Sequence, residues 1–105
     1  MKLLVFLAKG FETIEFSAFI DVMGWAKTDF DCKIDVVTCG LNRKVISSFN
    51  VPVLVDKVID EVSADDYDAL AIPGGFEEFG FYEEAYNEQL LELIRLFDSQ
   101  KKWIA

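Results

Sequence analysis

After Met1-Lys2 the chain runs through an unbroken apolar stretch, Leu3-Leu4-Val5-Phe6-Leu7-Ala8. Strict alternation would mark a strand wetted on one face. A continuous run instead predicts a strand covered on both faces of a parallel sheet. Lys9-Gly10 breaks the run, and a helix is predicted over residues 12–27, with acids in its first turn to suit the helix dipole. Its apolar residues, Phe16, Phe19, Ile20, Val22, Met23 and Ala26, cover more than one stripe, so the helix is expected to pack on the sheet and against a second partner. Residues 33–38 read as the next strand, ended by Cys39-Gly40, and residues 43–46 and 51–55 as a short hairpin. Pro52 marks that hairpin as an edge element.

Ser63-Ala64-Asp65-Asp66 has turn and helix-cap character. Ala69-Leu70-Ala71-Ile72 is a further buried strand, stopped by Pro73-Gly74-Gly75. One amphipathic helix is predicted over residues 83–99, with Tyr86, Leu90, Leu93, Ile94 and Phe97 at helical spacing. Trp103-Ile104-Ala105 then begins another strand. Strand–helix–strand–hairpin–strand–helix–strand is the order of a doubly wound parallel α/β sheet with right-handed crossovers. The chain halts on an apolar strand, and the expectation is a piece of a longer polypeptide.

Composition narrows the function classes. In 105 residues the chain carries ten Phe and 52% hydrophobic residues, a globular load too apolar for disorder. Its net charge of −9 argues against non-specific binding to nucleic acid or to anionic membranes. The first apolar run is too short for a secretory core and lacks a cleavage site, and no run approaches a bilayer span, so a cytoplasmic protein is expected. Cys32 and Cys39 bracket a predicted strand and stand roughly 23 Å apart along it, beyond disulfide reach. They read as free thiols. There is no histidine, so a Ser-His or Cys-His pair cannot be completed within the chain, and imidazole-based zinc sites are excluded. No metal and no cofactor is expected.

Ligands of doubly wound sheets bind outside the carboxyl ends of the strands, at the switch in strand order. Three loops leave strand ends here: residues 9–12, 39–42 and 73–82. Glu15 lies in the first turn of the first helix and shares a face with Phe19, Val22, Met23 and Ala26. Partial burial of that carboxylate would fit it for proton transfer; the plainer reading is a charge that complements the helix dipole. Gly74 and Gly75 give the backbone the freedom to aim N–H groups at a ligand, as an oxyanion site requires, although Pro-Gly also forms a tight turn unaided. The motif lacks the Lys-Ser/Thr of a phosphate loop, and no dinucleotide fingerprint is present. The stretch from Phe76 to Glu84 mixes aromatics with acids and suits either a pocket lining or a solvated loop. Cys39, placed at a strand end, is either reactive or a buried inert thiol.

Taken in order and spacing, these segments resemble the ThiJ/PfpI (DJ-1/PfpI) superfamily. Residues 8–15, Ala-Lys-Gly-Phe-Glu-Thr-Ile-Glu, are similar to its "GxEExE" segment, and Asp21-Val22-Met23 to the later part of its first helix. Residues 67–75, Tyr-Asp-Ala-Leu-Ala-Ile-Pro-Gly-Gly, are similar to its "YDxxxxPGG" segment. The ending Lys102-Trp103-Ile104-Ala105 resembles the strand that enters the family's nucleophile elbow. The resemblance implies a flavodoxin-like fold, related to class I glutamine amidotransferase domains, of which residues 1–105 form the N-terminal part of a single domain. It also implies a homodimer of the complete domain and a nucleophilic elbow cysteine beyond Ala105, supplied by a C-terminal fragment or chain. Glu15 would contact that cysteine, and Gly75 would contribute its amide to the oxyanion site. The implied activities act on small molecules: glyoxalase without glutathione or deglycation of glycated adducts. The alternatives are a non-catalytic oxidative-stress sensor or chaperone, and a structural half of a split protein.

Overall fold

The computed structural model describes residues Met1–Ala105. Five parallel strands form one sheet: β1 (Lys2–Leu7), β2 (Asp35–Gly40), β5 (Lys57–Val58), β6 (Ala69–Ala71) and β7 (Trp103–Ile104), in the order β5-β2-β1-β6-β7. β3 (Lys44–Ile46) and β4 (Pro52–Leu54) form a separate antiparallel ribbon with Ile46 opposite Pro52, so the proline costs the main sheet no hydrogen bond. β1 is central, with Leu3 facing Val36 on one side and Ala69 on the other. Its side chains divide by parity. Leu4, Phe6 and Ala8 join Cys39, Leu70, Leu90, Leu93 and Phe97 in one core. Leu3, Val5 and Leu7 join Phe11, Val45, Val55, Ala69 and Ala71 in the other. One helix covers each face, α1 (Thr13–Asp29) the second core and α3 (Glu88–Ser99) the first, which is the expected doubly wound α/β architecture.

Four features differ from the sequence-based expectation. The second helix is broken: α2 (Phe81–Ala85) ends before Tyr86, and Asn87 starts α3 by accepting the Gln89 N–H at 2.8 Å. Tyr86, expected on the apolar stripe, is exposed in that break. β2 begins two residues later than predicted, because its pairing with β1 runs from Lys2–Asp35 to Leu7–Gly40, and Cys39 therefore lies inside the strand rather than past it. β5 is too short to leave a periodic signal. It is set by a reciprocal lock in which Asp56 Oδ2 accepts both the Thr38 N–H and its hydroxyl, while the Asp56 N–H donates to Thr38 Oγ1 at 2.9 Å. Finally, α1 buries no residue completely: Phe16, Phe19 and Met23 lean on the sheet, whereas Ile14, Val22 and Trp25 stay exposed. No helix is long and apolar enough to cross a membrane.

Two expected outcomes follow from this packing. Phe97 is fully buried under the sheet, and Phe97→Ala should lower unfolding free energy by about 3–5 kcal/mol in urea melts. Cys39 is also fully buried, and burial, aided by the Glu61 charge, pushes its thiol up to about 12. The unfolded thiol ionises near about 8.5. The stability gained by keeping Cys39 neutral is therefore complete below that value and is eroded as pH climbs toward 12. At pH 8 a disulfide reagent should label only the exposed Cys32 in the native chain and both thiols in denaturant; rapid native labelling of both would contradict this burial.

Candidate functional site

The switch in strand order falls between β1 and β6, and the loops leaving those two strands are stitched together there. The Glu12 N–H donates to the Gly74 carbonyl at 2.7 Å, and the Phe76 N–H to the Gly10 carbonyl at 3.4 Å, so Phe11 and Gly75 face each other as an isolated antiparallel bridge. Gly10 adopts φ +74°, a left-handed conformation that favours glycine, and packs flat on the Phe79 backbone. A Cβ on Gly75 would collide with the Phe81 ring and with the Gly10 carbonyl oxygen. The two glycine loops lie closer than any side chain at Gly75 would allow.

The first-loop and third-loop candidates, Glu15 and the Gly74–Gly75 pair, come together at this seam. Glu15 is the third residue of α1, and its Oε2 lies 2.9 Å from where a Cβ on Gly74 would stand. Glu83 and Glu84 are tied to Lys9 by a 2.7 Å ion pair and a 2.8 Å bond from its backbone N–H, whereas the Glu15 carboxylate receives no donor from the chain. The partial burial that the proton-transfer reading attached to Glu15 is not found. α1 rests on Phe16, Phe19 and Met23, and that leaves Glu15 exposed beside the stripe, with its carboxylate next to Gly74. Val22, assigned to the same face, is exposed as well.

Gly74 and Gly75 offer free donors that the turn reading omits. Neither N–H donates to any acceptor in the chain, although the neighbouring Ile72 and Phe76 N–H groups are both paired. Two consecutive unpaired donors, half-buried beside an unpaired carboxylate, can stabilise an oxyanion while the carboxylate takes or gives a proton. Cys39 does not join them: it lies inside β2, fully buried and aligned with Phe6. Cys32 follows α1 and is exposed.

Sequence reasoning did not find the parts that hold this seam. Lys9 bridges the first loop to α2, and the nearby carboxylate of Glu83 raises the pKa of its ammonium. Glu83 and Glu84 read in sequence only as acids opening a helix. The Phe81 ring, one residue beyond the left-handed Gly80, closes over Gly75. The Gly-Phe-Tyr sequence after a run of acids is the only local hint of that turn.

Comparison with known proteins gives the family and the fold. The chain is 31% identical over 94 residues to protein DJ-1 homolog B of Arabidopsis thaliana, covering 90% of this chain and 20% of that protein. It is 25% identical over 103 residues to an uncharacterised Mycoplasma pneumoniae protein, the MG029 homolog, covering 98% of this chain and 89% of that one. Among solved structures, Drosophila melanogaster DJ-1beta superposes with a TM-score of 0.80 at 30% identity, covering 98% of this chain and 52% of the other. Oxidised Toxoplasma gondii DJ-1 superposes with a TM-score of 0.78 at 29% identity, covering 98% and 53%. The chain thus spans about a fifth of the Arabidopsis protein and about half of each of these two structures. With the DJ-1/PfpI family matched over residues 1–105, the chain belongs to that family and has its flavodoxin-like α/β fold.

Proposed function

We propose that residues 1–105 are the N-terminal part of one domain and supply the proton-transfer carboxylate and oxyanion donors for cysteine-dependent chemistry on small reactive aldehydes or glycated adducts. The observation that carries this reading is the unpaired Glu15 carboxylate beside the unpaired N–H groups of Gly74 and Gly75. The thiolate comes from a C-terminal segment or chain, since Cys39 is buried within β2 and Cys32 precedes β2, at the end of the sheet opposite the Gly74–Gly75 loop. Its sulfur adds to the carbonyl carbon of a 2-oxoaldehyde, and the π pair moves onto oxygen facing the glycine amides. The oxyanion takes a proton to give the hemithioacetal, Glu15 carries the proton from the former aldehyde carbon to the adjacent carbonyl carbon, and water hydrolyses the resulting thioester to a 2-hydroxy acid, freeing the thiol. The working form is a homodimer of the complete domain in the cytoplasm.

A second reading is an oxidation sensor or chaperone, favoured by the exposure of Glu15 to solvent and by the likeness to a DJ-1 solved in its oxidised form. There peroxide oxidises the same cysteine, and Glu15 stabilises the resulting sulfinate.

Intact-mass spectrometry of the purified protein separates the assemblies first. A companion polypeptide bearing a cysteine near its start fits the catalytic reading, whereas a single species at 11.9 kDa removes the nucleophile and overturns it. With the companion present, Glu15→Gln should reduce 2-oxoaldehyde consumption by a factor of about 10²–10⁴ with the fold retained. An unchanged rate sinks the proton-transfer role, and stoichiometric peroxide oxidation without turnover selects the sensor. Gly75→Ala should be unable to keep the loop seam, because its Cβ meets the Phe81 ring, and should lose cooperative unfolding at lower temperature than Glu15→Gln.

A further inference from the structure

Three phenylalanine rings form an exposed cluster at the same end of the sheet. Phe49 projects from the turn between β3 and β4, Phe76 directly follows Gly75, and Phe79 ends the adjoining turn. The Phe49 and Phe79 centroids are 5.7 Å apart, and those of Phe76 and Phe79 are 6.4 Å apart. Their exposures are 69%, 46% and 40% for Phe49, Phe76 and Phe79. The rings are not on free loops. Gly10 lies flat on Phe79, accepts the Phe76 N–H, and donates its own N–H to the Ile46 carbonyl at 2.8 Å. The turn that carries Phe49 is closed by Ser47 Oγ, which accepts the Val51 N–H at 3.0 Å. All three rings are thereby registered to the loop that leads into Glu15.

We infer that Phe49, Phe76 and Phe79 are a specificity wall beside the Gly74–Gly75 donors, selecting carbonyl substrates with an aryl substituent and no negative charge. This rests on the function proposed above and names its substrate class. An aromatic substituent meets the rings edge-to-face or offset and removes apolar surface from water on both sides. Anionic substrates meet the carboxylates of Glu15, beside Gly74, and of Glu77 and Glu78, between Phe76 and Phe79, while the Lys9 ammonium is held by Glu83. Phe76 directly follows Gly75, which sets the cluster at the end of the donor loop.

The test uses the purified protein with any companion polypeptide in place and non-reactive ketone probes, so no cysteine chemistry enters. Acetophenone should shift the amide resonances of Gly74, Gly75 and Phe76 saturably, while acetone and the anion benzoylformate should bind at least about tenfold more weakly. Phe79→Leu and Phe49→Ala should each weaken acetophenone by about the same factor. Equal response to acetone, equal affinity for benzoylformate, or unchanged binding in both variants would each overturn the inference. If Phe79→Leu unfolds, Phe49→Ala decides alone, since that ring is mostly exposed. Failure here leaves the Glu15→Gln rate experiment untouched, and failure there leaves ring-dependent ketone binding standing.

Discussion

Everything in this molecule depends on the double burial of β1. Leu4 through Ala8 are shut off from water, and the strand is hydrogen-bonded on both edges, to β2 and to β6. Such a strand can satisfy its backbone only within the sheet and its side chains only under two separate covers. Parity then assigns α1 to one face and α3 to the other. The reversal of strand order beside β1 opens the crevice where the loops after β1 and β6 must meet.

That meeting is close because glycine makes it so. Gly10 and Gly75 bring two backbones together at the Phe11–Gly75 bridge, and the Lys9 contacts to Glu83 and Glu84 hold α2 over them. The ion pair alone is worth little, being solvent-exposed on both sides. Its role is geometric: it keeps Phe81 on Gly75 while the adjoining amides stay unpaired. Leaving two donors half-buried without acceptors is unfavourable, and the interlocked bonds of Glu12 and Phe76 offset that cost locally.

Much of the fold was legible in the residues. The unbroken Leu3–Ala8 run announced a strand covered on both faces, and Pro73-Gly74-Gly75 announced the loop after β6. What failed had competing local physics. Asn87 outbid helical periodicity by capping, so that one expected helix became two. β2 was placed by its partner's register rather than by its own composition, which carried Cys39 inside. The stripe through Glu15 mixed residues from two sides of α1, and only the packing of Phe16, Phe19 and Met23 reveals which side meets the sheet. Glu15, Gly74 and Gly75 were legible as candidates. The Lys9 clamp and the Phe81 cover were not, because they join residues whose sequence neighbours say nothing of each other.

The order β5-β2-β1-β6-β7 also governs how the chain can reach this state. The local pairing, β3 with β4, lies outside the main sheet, while every pairing inside it must first close a loop holding a helix or the ribbon. Within the sheet the longest reach pairs Leu3 of β1 with Ala69 of β6, far along the chain. Loop-closure entropy is therefore lost before the central strand gains its second neighbour, so the sheet matures late and its most apolar strand waits longest with an open edge. The feature that makes β1 the anchor of the finished fold makes it the segment most in need of protection during synthesis.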